Sequence, residues 1–126
     1  MLKVLKHPRA VQRSAECVVH GQHCVHQTAL LHAAGPPCVD WSGMCGAKQQ
    51  GLCWPTQLAF ITWAAMRRII QDAILLHENV VHFDPQVLVE WLGDIYIVMT
   101  VVMYPDSLGV PCRRPRRVTL WVHKCT

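Results

Sequence analysis

The sequence predicts an α/β fold, a partial Rossmann-like sheet of about four strands, the last one antiparallel, with flanking helices. Three observations predict it. Apolar runs of strand length occur at Thr28–Ala34, Ala73–Leu76, Ile95–Met103 and Val118–Val122. Stretches with helical spacing separate the first three runs, which makes parallel pairing with crossover helices the expected arrangement. The segment before the last run is rich in Pro, Gly and Arg and leaves no room for a helix, so that strand is expected to pair antiparallel to its neighbour.

Composition narrows the class. With 126 residues, 52% of them hydrophobic and 16% charged, the chain is one domain at most and is expected to pack a core rather than remain disordered. No segment approaches the roughly 18 unbroken apolar residues of a membrane helix. The nearest candidate, Ile95 to Tyr104, reads as a central strand. The net charge of +4 is mild, but Arg113, Arg114, Arg116 and Arg117 concentrate it, and such a patch suits a polyanionic partner. Seven cysteines, an odd number, lack the even framework of a secreted scaffold. The basic first residues contain no apolar core of signal-peptide length. A reducing compartment, nucleus or cytoplasm, is therefore expected rather than secretion.

Residues 1–27 form a poorly defined amino-terminal segment, expected to be helix or loop. Cys17, His20, His23, Cys24 and His26 are metal-capable, yet no second Cys-x-x-Cys knuckle follows, so no metal is expected there. A small zinc-binding module is the weaker alternative. After the run Thr28–Ala34, Gly35-Pro36-Pro37 ends the strand because neither proline can donate to a ladder, and Cys38 is presented just past that end. In open α/β sheets this is where ligands and chemistry collect. Residues 42–52 read as a glycine-punctuated loop.

Pro55 is expected to open a helix in which Leu58, Ile61, Ala65 and Ile69 fall near one face, with Ala59, Trp63, Met66 and Ile70 beside it. Arg67, Arg68, Gln71 and Asp72 close the helix. The strand Ala73–Leu76 then leads to His77-Glu78-Asn79-Val80, placing Glu78 at the same sheet edge as Cys38 if the two strands are parallel. Asp84 can cap a second helix with Pro85 at its first position, and Gly93 can end it.

Three motifs stand out in order: Pro37-Cys38, Glu78-Asn79-Val80 and the arginine cluster Cys112-Arg113-Arg114-Pro115-Arg116. Together, from Thr28 to Lys124, they resemble the catalytic half of the DNA cytosine-5 methyltransferases, making residues 28–126 a partial catalytic domain. The resemblance implies that Cys38 is the nucleophile that adds to C6 of a flipped cytosine and that Glu78 is the acid at N3. It implies that Arg114 and Arg116 act at O2 and on the loop. Pro37, Ser42 and Asn79 would position the substrate, Arg113 and Arg117 would contact DNA, and S-adenosylmethionine would donate the methyl group. The sequence departs from the family in three places. Cys112 stands where the family has Gln, Val39-Asp40-Trp41 replaces Gln-x-Phe, and no glycine-rich cofactor motif occurs in residues 1–37. The expectation is thus a fragment or truncated enzyme with an incomplete cofactor pocket. The alternative is a catalytically incompetent nucleic-acid-binding remnant, or a subunit needing a complementing chain.

Overall fold

Six strands and two helices account for most of the regular structure in the computed structural model, which describes residues 11–38, 41 and 57–125. Strands β1 (Ser14–Cys17) and β2 (Gln22–Val25) form a hairpin. Strands β3 (Leu31–Ala34), β4 (Ile74–Val80), β5 (Tyr96–Met103) and β6 (Arg116–His123) form a four-stranded sheet in the order β3-β4-β6-β5. Helix α1 (Leu58–Ile70) connects toward β4, and α2 (Gln86–Leu92) joins β4 to β5. Ser42, Cys45, Cys53 and Pro55 lie outside the described residues.

β3 and β4 are parallel, and β6 is antiparallel to both of its neighbours, as the sequence predicts. Two details differ from the sequence reading. β4 continues to Val80 rather than ending at Leu76, because β6 supplies ladder partners as far as the Val80–Arg116 pair. β5 is not central: it lies at one end of the described sheet, since β6 turns back and inserts between β4 and β5. Its long apolar run reads as buried on both faces, but Ile97, Met99 and Val101 are each more than half exposed.

Side-chain alternation sorts the sheet into two faces. On one, Leu75, His77 and Asn79 of β4 lie buried beside Trp121 and Thr119 of β6. Phe60, Ile61 and Ala64 from α1 and Leu88, Trp91 and Leu92 from α2 pack onto this face with Tyr96 and Phe83. Each large side chain buried there contributes about 1.5–3 kcal/mol relative to exposure. The other face carries Leu31, Ile97, Met99 and Val101, and neither described helix covers it. β3, expected to be a buried strand, is accordingly only half-buried on alternate residues.

The end of α1 is fixed by charge. Arg67 and Arg68 fall in the last turn, where cations complement the helix dipole. Gln71 adopts a left-handed conformation with φ of 58° and donates its backbone N–H to the Arg67 carbonyl at 3.0 Å. Asp72 then turns inward, fully buried, and forms an ion pair with Arg67. Its Oδ1 accepts the Ala29 N–H at 2.7 Å, and its carbonyl accepts the Tyr96 hydroxyl at 3.0 Å. Burial pushes the Tyr96 phenol up to about 12. This one residue therefore joins α1, the approach to β3, and β5.

Across the sheet from that knot, Trp63 donates its indole N–H to His32 Nε2 at 3.0 Å, docking α1 on β3. Burial and then the Arg67 charge hold His32 below the usual histidine range, which keeps Nε2 an acceptor. At the start of α2, Asp84 Oδ1 accepts the Gln86 N–H at 2.9 Å, the expected cap. Gly93 ends the helix, and a Cβ there would meet the Val89 carbonyl oxygen at 2.5 Å.

The amino-terminal segment read as helix or loop is a β-hairpin. Gly21 takes φ of 62° and donates its N–H to the Cys17 carbonyl at 2.8 Å, closing a short turn. The backbone amides of His20 and Val19 hold the Cys17 thiol below its ordinary range, whereas desolvation raises Cys24. Cys17, Cys24, Cys38, Cys112 and Cys125 are free. No described helix is long and apolar enough to cross a membrane.

Candidate active site

Parallel pairing of β3 and β4 brings two of the three sequence motifs together. The ladder ends with Ala34 beside His77, so Gly35 and Glu78 are the next residues on the two strands. They meet closely: a Cβ on Gly35 would lie 3.1 Å from Glu78 Oε2. A side chain at residue 35 would have to push the flexible carboxylate of Glu78 aside by a few tenths of an ångström. The turn that follows carries Pro36, Pro37 and Cys38, with Pro37 exposed and Cys38 half-buried.

The far side of the turn is also anchored. Trp41 donates its backbone N–H to the Cys38 carbonyl at 3.0 Å and sets its ring edge-on to Phe83, centroids 5.0 Å apart. Phe83 in turn donates its backbone N–H to the Val80 carbonyl at 3.0 Å, just after the Glu-Asn-Val motif. Cys38 is thus held between a glycine against Glu78 and a tryptophan against Phe83. Sequence reasoning missed both anchors, although a glycine before two prolines and a large aromatic three residues after the thiol were the available signals.

The third motif reaches the site through one arginine. β6 begins at Arg116, and its Nε lies 2.6 Å from Glu78 Oε1. The carboxylate is therefore divided: Oε1 engages the guanidinium and Oε2 lies toward Gly35. The side chain of Glu78 is 45% exposed and that of Arg116 22%, so a ligand could reach this pair from solvent. Arg117, next along the strand, points to the other face, where its Nε and Nη2 donate to the Val81 carbonyl at 3.1 and 2.9 Å. Arg113 and Arg114 are exposed beside Cys112 in the segment before the strand. They are not brought into contact with Glu78.

Asn79 alternates away from Glu78 into the helix-covered face. Its Oδ1 accepts the Val80 N–H at 2.8 Å, while Nδ2 is buried with no partner among the described residues. Ser42 lies outside the described residues. The described arrangement can do one piece of chemistry: it sets a thiol-bearing turn beside a carboxylate whose orientation is fixed by a guanidinium.

Solved structures that share this fold include three methyltransferases. Entamoeba histolytica methyltransferase EhMeth matches with a TM-score of 0.58 at 17% identity, over 74% of this chain and 32% of that one. A protein assigned as a DNA modification methyltransferase encoded within an E. coli prophage matches with a TM-score of 0.61 at 16% identity, over 79% of this chain and 28% of that one. The S. pombe Dnmt2 methyltransferase matches with a TM-score of 0.55 at 18% identity, over 75% of this chain and 30% of that one. The described α/β sheet and its helices share the fold of about a third of each of these proteins. The chain spans about a third of the length of each of these relatives in structure. No family model and no curated protein sequence matches it.

Whether the described residues suit the cofactor of such enzymes is a question of local geometry. A nucleoside cofactor in a Rossmann-like fold rests on a glycine turn between a strand and a helix N-terminus. Among the described residues the left-handed glycines are Gly21, in the hairpin, and Gly109, after a short 3-10 turn. Neither joins a strand of the main sheet to a helix. Among the described residues, then, no left-handed glycine forms such a turn.

Proposed function

We propose that this chain carries the nucleophile-and-acid portion of a DNA cytosine-5 methyltransferase. The observation that carries the reading is the junction of Gly35, Glu78 and Arg116, because it puts the Pro-Cys turn, the Glu-Asn-Val motif and the arginine motif at one corner of the sheet. In this reading the Cys38 thiolate adds its electron pair to C6 of cytosine. The C5–C6 π pair moves into the ring, Glu78 supplies a proton at N3, and C5 becomes enamine-like. Arg116 holds Glu78 in place and Arg114 meets O2. Pro37 and Asn79 shape the turn, the latter from behind the strand, and Ser42 positions the substrate. Arg113 contacts phosphate, and Arg117 belongs to the same basic surface while tying residue 81 to β6.

The chemistry assigned to this chain stops at thiolate addition, since the described residues supply no site for the methyl donor. A complementing chain is the second reading for the complete reaction. It is favoured by the apolar face of the sheet that neither described helix covers, a surface of the kind that marks an interaction site.

Thiolate addition has a readout that needs no methyl donor. Once Cys38 has added to C6, C5 takes a proton from solvent; loss of the original C5 proton and expulsion of the thiolate return cytosine. The folded chain, incubated in deuterium oxide with a single-stranded cytosine-containing oligonucleotide, is expected to exchange hydrogen at C5. A single strand spares the few kcal/mol of base flipping. Cys38→Ser should abolish exchange while oligonucleotide binding persists. Exchange that survives this substitution would take the nucleophile role away from Cys38, and binding without any exchange would favour the nucleic-acid-binding remnant.

The same assay tests the junction. Gly35→Ala places a methyl group against Glu78 Oε2, and the flexible carboxylate is the part that gives way. Stability should fall by less than about 1 kcal/mol, while exchange drops at least tenfold, by roughly 1.4 kcal/mol or more in barrier. Unchanged exchange in this variant would remove Glu78 from the acid role.

A further inference from the structure

Of the five metal-capable side chains in the amino-terminal segment, the hairpin brings three together. Cys24 faces Ala15 across the ladder, and alternation puts Cys17 on the same face as Ala15. His20, in the turn between the strands, folds back over this face. Its Nδ1 lies 3.5 Å from Cys17 Sγ and 3.2 Å from Cys24 Sγ, and the three atoms all fall within 4.8 Å of one another. In a tetrahedral zinc site, bonds of about 2.3 Å to sulfur and 2.0 Å to nitrogen set sulfur and nitrogen roughly 3.5 Å apart. The hairpin meets that separation without rearrangement.

Packing offers no other reason for the convergence. Each strand is four residues long, a length at which an isolated hairpin is marginal in water. Val18 and Val19 at the turn are almost wholly exposed, so no apolar contact holds the tip. Arg13 Nη2 reaches the Ile69 carbonyl at 3.1 Å and Thr28 Oγ1 the Ile70 carbonyl at 3.3 Å, but both bonds are at the base. Among the described residues, the turn end is held by its own hydrogen bonds and by the three clustered side chains.

We propose that Cys17, His20 and Cys24 bind one zinc ion, which pins the hairpin. Two thiols lose their protons and their charge balances the dication, while His20 coordinates through Nδ1 and keeps its proton on Nε2. Thiolate and imidazole donors select zinc over magnesium or calcium. Because the cluster lies at the surface, the fourth position is left for water or for a group outside the described residues. Zinc here is structural and is separate from the cysteine chemistry at Cys38. The proposal does not rest on the methyltransferase reading.

Cobalt titration of the whole reduced chain is the direct test. One equivalent of Co(II) is expected to give thiolate-to-metal charge transfer in the near ultraviolet and tetrahedral d–d bands, both erased by Zn(II). Cys17→Ser, Cys24→Ser and His20→Asn should each weaken binding by at least roughly tenfold, and Cys38→Ser or Cys112→Ser should not. A measurement on the unsubstituted chain guards against variants that fail to fold. Zinc should protect Cys17 and Cys24 from alkylation, read by mass spectrometry, and leave Cys112 and Cys125 reactive. Absence of thiolate bands in the folded chain, equal alkylation of Cys17 and Cys24 with and without zinc, or full binding by a Cys17→Ser/Cys24→Ser double variant would overturn the proposal.

Discussion

Asp72→Ala is expected to remove about 3–5 kcal/mol of unfolding free energy, the cost of leaving one member of a buried ion pair alone. A domain of this size has only about 5–15 kcal/mol in total, so much of the protein should unfold at mild urea concentration. The cause lies in what Asp72 leaves behind. Arg67 is 6% exposed, and its Nε already lacks a partner among the described residues, so its charge would have nothing to face. The Ala29 N–H would lose its acceptor as well. Replacing both partners, as in Arg67→Met with Asp72→Asn, removes the stranded charge and should recover most of the loss. Urea unfolding followed by tryptophan fluorescence measures all three chains. A loss under about 1 kcal/mol for Asp72→Ala would show that the pair is dispensable.

His77→Phe is expected to remove the main acid-sensitive limb of stability. His77 is fully buried among Phe60, Trp63 and Phe83, with ring centroids 6.0, 5.5 and 4.9 Å away, and neither ring nitrogen has a partner among the described residues. Burial lowers its pKa from 6.5 to about 4. The unfolded chain therefore binds this proton near pH 6.5 and the folded chain only near pH 4. Stability linked to His77 is complete above pH 6.5 and is lost as the pH falls from there through about 4. The full span is about 3 kcal/mol. Phenylalanine keeps the aromatic packing, cannot charge, and leaves no orphaned nitrogen. Urea midpoints collected from pH 7 down to pH 4 should converge less steeply for the variant; an identical pH slope in the two chains would refute the assignment to His77.

Those two residues also mark where sequence reading reached and where it stopped. The period of the apolar runs was enough to place α1 between two parallel strands, and parallel pairing was enough to put Glu78 at the edge that holds Cys38. The position of Asp72 was not legible, since an acid after Arg67, Arg68 and Gln71 reads as a solvated helix end. What buries it is tertiary: the N–H of Ala29 and the hydroxyl of Tyr96 come from distant segments. β5 was misplaced for a related reason. A run with apolar residues on both faces looks central, and only the return of β6 decides which strand lies inside. The metal-capable residues of the amino-terminal segment were visible, but not which three converge, because two four-residue strands carry too little periodicity to announce the hairpin that selects Cys17, His20 and Cys24.

The insertion of β6 sets an order of events for a chain emerging from the ribosome. β3 and β4 can pair once α1 has been made, since they are direct ladder neighbours. β5 has no such option, because it never touches β4 in the ladder and waits for Arg116–His123 to arrive between them. Until then, two rows of unpaired backbone amides and carbonyls remain open, one on each strand, and each invites pairing with another nascent chain. The arrival of β6 pairs both rows at once, from Arg116 to His123. Arg116 therefore meets Glu78, and the candidate site is completed, only in the last step of sheet assembly.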